Sequence, residues 1–329
     1  DVTAAESGSY RVLVWNAYGL TNSRTVQLYV ATQVAFADPQ LEQAVREALG
    51  IPDDPLTLDD LATLTGLDAS RRGITNLSGL EAAIHLQWLN LGGNPQITDL
   101  SPLRRLAALT DLQLYECNLA DVAPLAELYS LTRLDVNWNR LRDLAPLTNL
   151  TDLTGLFASY NADLTNQAVV TAWPNLRELG LAGTGLRDIS FLSGMGALHG
   201  LDLFNNPIAD VSPLAELDGL IWLWLGQCQI TDASPFASLT NLVSLWLSGN
   251  QITNISFLTN LTSLQMLALD RNPLPDLDPL AGLTNLWLLD ISAVTATNLS
   301  SLTTLTRLTE LSVGTLGLSD LSFLAPLTN

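Results

Sequence analysis

The 329-residue chain repeats one apolar frame twelve times, and this period constrains its fold more than any other feature. The segments Leu86–Asn94 and Leu242–Asn250 both read L-x-x-L-x-L-x-x-N. Successive frames begin 22 residues apart, except at two gaps of 23 residues. A period of this length is typical of a solenoid whose repeats stack on one another. The frames begin at Leu64, Leu86, Leu109, Leu131, Leu153, Leu176, Leu198, Leu220, Leu242, Leu264, Leu286 and Leu308.

The chemistry of the frame predicts its geometry. Each L-x-L segment is expected to form a short strand, and stacked strands about 4.8 Å apart form a parallel concave sheet. No repeat can bury its leucines alone, so neighbouring repeats must provide the core. The convex return path is short and often carries Pro after a small or polar residue, which favours single 3₁₀ or helical turns. The predicted fold class is an α/β repeat solenoid of the curved, right-handed leucine-rich-repeat type.

Residues 36–63 interrupt the period and predict a helical N-terminal cap. Asp38 before a proline, an apolar helical spacing and then Gly50 are typical of a capped amphipathic helix. Thr57 with Asp60 three residues later indicates a second helix start. Two short helices here would cover the first layer of the leucine core.

The first thirty residues have a different pattern. Tyr10–Trp15 and Thr25–Val30 alternate like strands around Asn16–Gly19, which predicts a hairpin. Glu6–Val12 resembles the tyrosine corner of an immunoglobulin-like domain. Two strands cannot bury a core, so we expect a hairpin that leans on the cap or is poorly ordered. The predicted division is residues 1–31 for this C-terminal hairpin of an immunoglobulin-like domain, 32–63 for a linker and the cap, and 64–329 for the twelve repeats.

The cap and the repeats together resemble the internalin family of bacterial surface proteins. The residues that carry the resemblance are Asp38–Leu49, Gly73–Leu77 and the repeat tail Ile97–Leu103. The resemblance implies a secreted or cell-wall protein whose concave face binds another protein. The expected location is therefore extracellular or at the cell surface, as part of a longer secreted protein.

Composition limits the partners. The formal net charge is -19, from 33 acidic residues against 14 arginines and no lysine. This balance argues against nucleic acid, whose phosphates need clustered cations, and against anionic membrane surfaces. No run approaches 18 apolar residues, so no membrane insertion is expected. The sequence predicts a monomer with an unidentified protein ligand, a glycan being the alternative.

The sequence contains few residues suited to catalysis or metal binding. Two cysteines and two histidines leave few candidates for metal sites or nucleophilic triads. Asp111 and Asp135 lie on adjacent predicted strands and could mimic a paired-carboxylate site, but no pocket is visible in the sequence. We expect no enzyme activity, catalytic residue, metal or cofactor.

Two polar columns predict structural roles. A buried amide eight residues after a frame start can tie the backbones of adjacent repeats together. Cys117 and Cys228 occupy this column five repeats apart, roughly 24 Å by strand spacing, which is too far for a disulfide. A second column of short acids is expected to accept backbone N–H bonds in the convex turns, with calcium binding as the alternative. The amides are Asn94, Asn139, Asn161, Asn206, Asn250 and Asn272, and the acids are Asp99, Asp121, Asp143, Asp188, Asp210, Asp232, Asp276 and Asp320.

The remaining strand positions predict the functional surface. Positions two, four, six and seven of each frame should face out of the concave sheet, and five of the eight tryptophans occupy them. Small residues in the sixth repeat, Gly180, Ala182 and Gly183, are expected to leave a shallow pit between aromatic neighbours. Exposed aromatics on a rigid sheet favour a protein-binding or adhesion module, with a carbohydrate-binding module or a passive spacer as alternatives. The candidate binding residues are Trp88, Tyr115, Trp138, Phe157, Tyr160, Phe204, Trp222, Trp224 and Trp246, with Asp111, Asp135, Asp202 and Asp270.

Overall fold

The structure is a computed structural model, and it describes residues 7–28, 32–316 and 322–327. The elements before the repeats are β1 Gly8–Tyr10, β2 Leu13–Asn16, β3 Gly19–Asn22, β4 Val26–Leu28, α1 Pro39–Leu49 and α2 Leu58–Thr63. The repeats then contribute β5 Gly66–Asp68, β6 Trp88–Asn90, β7 Asp111–Gln113, β8 Arg133–Asp135, β9 Gly155–Phe157, β10 Glu178–Gly180, β11 Gly200–Asp202, β12 Trp222–Trp224, β13 Ser244–Trp246, β14 Met266–Ala268, β15 Leu288–Asp290 and β16 Glu310–Ser312.

Strands β5 to β16 form one parallel sheet in which neighbours in space are also neighbours in sequence. The central leucine of each strand pairs with that of the next, as Leu201 does with Leu223 and Leu223 with Leu245. These three leucines are 0% exposed and belong to one continuous core that runs from the cap to the last described repeats. The predicted leucine-rich-repeat solenoid with twelve repeats is therefore confirmed.

The convex connections are single turns, as the short repeat requires. Each described connection holds a 3₁₀ segment of three to six residues, for example Ser101–Arg105 and Ser212–Leu214. Both of these begin with the Ser-Pro pair, where the fixed φ of proline suits the first helical position. Acids just before the turns accept backbone N–H groups two residues on, as Asp210 does from Ser212 at 2.9 Å. The turn role predicted for the acidic column is confirmed for its described members, while Asp320 lies outside the described residues.

The cap consists of the two predicted helices. Leu41 and Val45 of α1 are 0% exposed and pack into the same core as the repeat leucines. Asp38 caps α1 through one carboxylate oxygen and accepts the N–H of Thr75 at 2.7 Å through the other. The same carboxylate therefore ties the cap to the first repeat. The capping box predicted for α2 between Thr57 and Asp60 is also present.

A ladder of buried amides links successive repeats. Oδ1 of Asn94 accepts the N–H groups of Arg72 and Ile74 in the preceding repeat. Its Nδ2 donates to the carbonyls of Ala69 and Leu91, so one side chain joins the backbones of two repeats. The role predicted for this column is confirmed along the described repeats.

The two cysteines occupy the same column as the amides. Both are buried free thiols, and Sγ of Cys117 lies 3.2 Å from the carbonyl oxygen of Leu91. Burial raises the pKa of both thiols to about 11. They replace the donor half of the asparagine and remain protonated at neutral pH.

The N-terminal strands differ from the predicted hairpin. Strand β2 pairs with β3 around Asn16–Gly19, and β1 pairs with β4 outside them. The single strand expected over Tyr10–Trp15 is wrong, because Ser23 binds both the N–H and the carbonyl of Val12 and divides the ladder in two. The large side chains here are exposed, Trp15 by 78% and Tyr18 by 98%. Residues 1–6 and 29–31, which include part of the immunoglobulin-like signature, lie outside the described residues.

The central leucine ladder predicts that substitutions at neighbouring inward and outward positions differ sharply in their effect on the free energy of unfolding. Leu223→Ala should lower the free energy of unfolding by about 2–5 kcal/mol, because it leaves a cavity between two repeats. Ile221, two residues earlier and 43% exposed, is the matched control, and Ile221→Ala should cost far less. Urea unfolding followed by circular dichroism measures both. Equal losses for the two variants would contradict the ladder as the main source of stability.

Candidate functional site

The concave face, defined as the sheet surface at positions two, four, six and seven of each frame, holds two aromatic clusters. In the first, which we call the Trp138 cluster, the rings of Trp138 and Tyr160 stack with centroids 3.7 Å apart. We include Phe157 of β9 in this cluster, together with Arg133, whose guanidinium carbon lies 4.4 Å from the Phe157 ring centroid. Trp138 and Tyr160 both have φ near +56°, so a left-handed turn after the strand presents each side chain. Glycines at 93, 183 and 249 in the same column adopt the same conformation.

The second group is the tryptophan cluster of Trp222, Trp224 and Trp246. The ring centroids of Trp222 and Trp224 are 4.9 Å apart, and those of Trp224 and Trp246 are 5.8 Å apart. The planes are tilted by 42° and 43°, so the packing is intermediate between stacked and edge-to-face. Trp224 and Trp246 remain 38% and 40% exposed although their rings touch, and the cluster offers a large apolar surface to a partner.

Between the two clusters lies a depression of about 330 Å³, which we call the central depression. Six of the candidate residues come together there, while the others do not. The lining residues are Arg133, Asn137, Trp138, Phe157, Ser159, Tyr160, Glu178, Asp202, Trp222 and Trp224. Trp88, Tyr115, Phe204, Trp246, Asp111, Asp135 and Asp270 do not line it, and Asp111 borders a neighbouring depression of about 550 Å³.

Small residues create this site in a different way from the expected pit. A Cβ at Gly180 would lie 3.2 Å from the Phe157 ring, and one at Gly183 would lie 2.7 Å from the Tyr160 ring. A Cβ at Gly200 would lie only 2.0 Å from the Trp222 ring. The glycines therefore leave the space that the aromatic rings occupy, and the depression lies between these rings.

Charges at the site are unevenly matched. Nη1 of Arg133 lies 2.7 Å from Oε2 of Glu178, and this ion pair crosses the intervening β9 strand. Asp202 accepts the N–H of Phe204 at 3.0 Å through Oδ1. No ion pair forms at Asp202 within the described part of the chain. Burial raises the pKa of Asp202, and burial together with the negative charge of Asp202 raises the pKa of Tyr160.

The two acids weighed as a catalytic pair lie diagonally across neighbouring strands. In the sheet register Asp111 faces Arg133, and Asp135 faces Gln113 on one side. Oδ1 of Asp135 accepts the N–H of Asn137 at 2.9 Å. Burial raises the pKa of Asp135, and the nearby Asp111 charge adds to the rise. Oδ1 of Asp111 is buried without a hydrogen-bond partner.

Sequence reasoning did not include Arg133, Glu178, Asn137 or Ser159 among the candidates. All four occupy the same outward columns as the aromatics, so reading every chemistry-bearing residue of those columns would have found them. The ion pair itself gave no sequence signal, because its partners are 45 residues apart. Among the described residues, no three His, Cys, Asp or Glu side chains gather as a metal-binding group, and no helix is long and apolar enough to cross a membrane.

Comparison with known proteins places the chain in a family. A family model for Leucine Rich repeats (2 copies) matches residues 174–216, 218–260 and 240–282. An internalin of Listeria monocytogenes, InlF, is 33% identical, with 91% of this chain and 82% of that chain covered at a TM-score of 0.66. The chain belongs to the internalin family.

Two further solved structures share the fold of this internalin. The functional domain of InlJ from Listeria monocytogenes, which includes a cysteine ladder, is 24% identical over 91% of this chain and 65% of that chain, at a TM-score of 0.68. A leucine-rich-repeat protein of Leptospira interrogans is 20% identical over 78% of this chain and 86% of that chain, at a TM-score of 0.51. A search of curated protein sequences finds no match to this internalin.

The contacts between glycines and aromatic rings predict that the ring positions in this internalin can be altered without unfolding the protein. Gly200→Ala should displace the Trp222 ring, since the three atoms nearest to the added Cβ all belong to that side chain. The backbone amide and carbonyl of the strand stay paired, so the midpoint of urea unfolding should change little. Gly282→Ala, where a Cβ meets nothing within 4 Å, is the control. The Trp222 indole signal in a ¹⁵N NMR spectrum should move in the Gly200→Ala variant only. An unchanged signal would contradict the packing of the Trp222 ring against Gly200.

The raised pKa values of the two half-buried acids predict a pH-dependent stability difference. The folded state holds protons on Asp135 and Asp202 above the usual aspartate pKa of about 3.9. Stability therefore falls as pH rises from there through the raised pKa values. The double variant Asp135→Asn, Asp202→Asn lacks this loss, so its advantage over the wild type should grow from about pH 4 upward and then level off.

Asp210, whose pKa is lowered instead of raised, serves as the control for that experiment. The hydroxyl and N–H of Ser212 lower the pKa of Asp210, so this carboxylate stabilises the fold above its unfolded pKa. Asp210→Asn should be less stable than the wild type by a nearly constant amount above about pH 5, and this difference should close as pH falls below about 4. Urea unfolding between about pH 2 and pH 7 measures both, and a pH-independent gap for the double variant would overturn the expectation.

Proposed function

We propose that this internalin is a non-enzymatic, monomeric, extracellular module for protein binding or adhesion that uses its concave face. The observation that carries the proposal is the pair of aromatic clusters around the central depression. Trp138, Trp224 and Trp246 are 55%, 38% and 40% exposed, which is unusual for such large side chains on a rigid sheet.

The geometry suits a protein ligand. Interface hot spots are enriched in tryptophan, tyrosine and arginine, and all three residue types meet here. The rings rest on glycines and on one another, so little side-chain freedom is lost when a partner binds. The net charge of -19 favours a partner with a basic surface and raises its association rate at low salt.

The proposal contains no catalytic step. Arg133 is engaged by Glu178 and Phe157, Asp111 faces it across the sheet, and Asp135 follows it on the same strand. An arginine held between a carboxylate and a ring face supports a role in recognition.

The location and the domain division are part of the same proposal. The internalin resemblance supports an extracellular or cell-surface location, as part of a longer secreted protein. We propose residues 1–31 as the end of an immunoglobulin-like domain, 32–63 as linker and cap, and 64–329 as the repeats. Protease treatment of intact cells that produce the full-length protein tests the location, since a surface protein is cleaved without lysis.

A carbohydrate ligand is the second candidate. The row of Trp222, Trp224 and Trp246 beside Asp202 and Asp270 combines ring faces with carboxylates, which also suits sugars. Binding to a glycan array would favour this alternative, whereas capture of a protein from deglycosylated surface extracts favours the first.

The proposal predicts a large effect at one exposed tryptophan. Trp224→Ala should weaken binding of a captured protein roughly thirtyfold, since truncation of a hot-spot aromatic costs about 2 kcal/mol or more. Tyr129→Ala, at an exposed aromatic outside the strands, is the control and should bind like the wild type. Surface plasmon resonance with the captured protein measures both affinities.

The stronger test removes the whole tryptophan cluster. A variant with Trp222, Trp224 and Trp246 all changed to Ala should remain folded, because the inward leucines are untouched, and should lose the ligand. If it folds and keeps the ligand at the wild-type affinity, the concave-face proposal is wrong.

A further inference from the structure

The central depression has the composition of a cation-binding cage. The rings of Tyr160, Trp222 and Trp224 form its walls, and the carboxylates of Glu178 and Asp202 lie among them. Aromatic faces attract cations, and the attraction grows when water is excluded. The inference that follows rests on the proposed protein-binding function and names the group that this site recognises.

The molecule itself shows that one half of the depression holds a cation. The Arg133 guanidinium lies over the Phe157 ring and 2.7 Å from Glu178. A ring face and a carboxylate thus bind a positive group side by side. The same two elements recur on the other side of the depression, where Asp202 lies near Tyr160 and Trp222.

The electrostatics of Asp202 define what this second half accepts. Its Oδ1 accepts the N–H of Phe204, and no basic residue pairs with it within the described ranges. An apolar side chain inserted here would remove water from the carboxylate and give nothing in return. Arg133 pairs with Glu178, so the charge left for an occupant to meet is that of Asp202, and a cation is the favoured occupant.

The acceptor oxygens of the Asp202 carboxylate distinguish between arginine and lysine as the side chain that binds here. A guanidinium is held best when both oxygens of a carboxylate accept its parallel N–H bonds. Oδ1 of Asp202 already accepts the Phe204 N–H, so a bidentate guanidinium would have to share that oxygen with the backbone, whereas a single donor can use Oδ2. A lysine ammonium acts as a point charge and needs one such oxygen, while its alkyl stem packs on the rings.

We propose that the central depression binds the ammonium group of a lysine side chain on the protein partner. The ammonium lies between Asp202 and the faces of Tyr160, Trp222 and Trp224, beside the Arg133–Glu178 pair. These 329 residues contain no lysine, so they do not supply the ammonium group themselves.

Small probes test the proposal directly on the whole chain. Nα-acetyl-lysine methylamide should shift the Trp222 and Trp224 indole signals in ¹⁵N NMR spectra, saturably and at millimolar concentration. The Trp88 indole, six repeats away from Trp222, should not move. Nα-acetyl-norleucine methylamide has the same carbon chain without the ammonium group and should bind at least about tenfold more weakly. Nα-acetyl-arginine methylamide should also bind more weakly than the lysine probe.

Two matched variants separate the local contact from the general negative field. Asp202→Asn should weaken binding of the lysine probe about tenfold, because a charge-assisted hydrogen bond is lost. Asp290→Asn removes the same charge from the same column but does not line the depression, and should leave affinity nearly unchanged. Both are expected to fold, because Asn90 in this column makes the same turn bond to the N–H of Gly92.

The outcomes distinguish this inference from the proposed function. Equal binding of lysine and norleucine probes, equal or tighter binding of the arginine probe, shifts caused by methyl glycosides alone, or no shift with any probe would each overturn the lysine site. So would equal effects of Asp202→Asn and Asp290→Asn on the lysine probe. If the triple tryptophan variant loses its protein ligand in any of these cases, the concave-face function stands and only the lysine inference fails.

Discussion

Every feature of this internalin depends on one constraint, which is that no repeat can bury its leucines without its neighbours. The constraint is met by two parallel ladders, one of strand leucines such as Leu201, Leu223 and Leu245, and one of buried amides such as Asn94. The first removes apolar surface from water, and the second satisfies backbone groups that the tight turns leave unpaired. The cap helix α1 joins the same arrangement, since Leu41 and Val45 extend the core and Asp38 binds the first repeat.

Because the inward positions carry the stability, the outward positions of the sheet are free to carry function. The aromatic clusters show how this freedom is used. Gly183 and Gly200 have no Cβ, and the rings of Tyr160 and Trp222 occupy the space that a Cβ would need. Rings held in this way are exposed and still rigid, which is what a binding surface needs if little entropy is to be lost on association. The left-handed turn after each strand adds Trp138 to the same surface.

Much of this architecture was predictable, because periodic contacts leave periodic sequence signals. The strands, the convex turns, both cap helices, the amide ladder and the roles of the turn acids follow from spacing and local hydrogen-bonding chemistry. The N-terminal strands were predicted less well. The split at Val12 depends on the Ser23 side chain, eleven residues away, and nothing in the alternating pattern reports such a contact. The pit expected at Gly180 and Gly183 was misplaced for a similar reason, since small residues invite neighbouring rings to cover them.

The sequence by itself determined which residues point inward, how many repeats stack and which columns face outward, because these properties depend on a period that any repeat reveals. It also identified all five aromatic residues that line the central depression as outward-facing candidates. Only the tertiary structure decided which of them meet. The Arg133–Glu178 pair crosses a strand and joins residues 45 positions apart, and the rings of Tyr160 and Trp222 lie next to a glycine of the neighbouring repeat. Those choices involve side chains of different repeats, and packing across repeats is the information that a one-dimensional pattern does not contain.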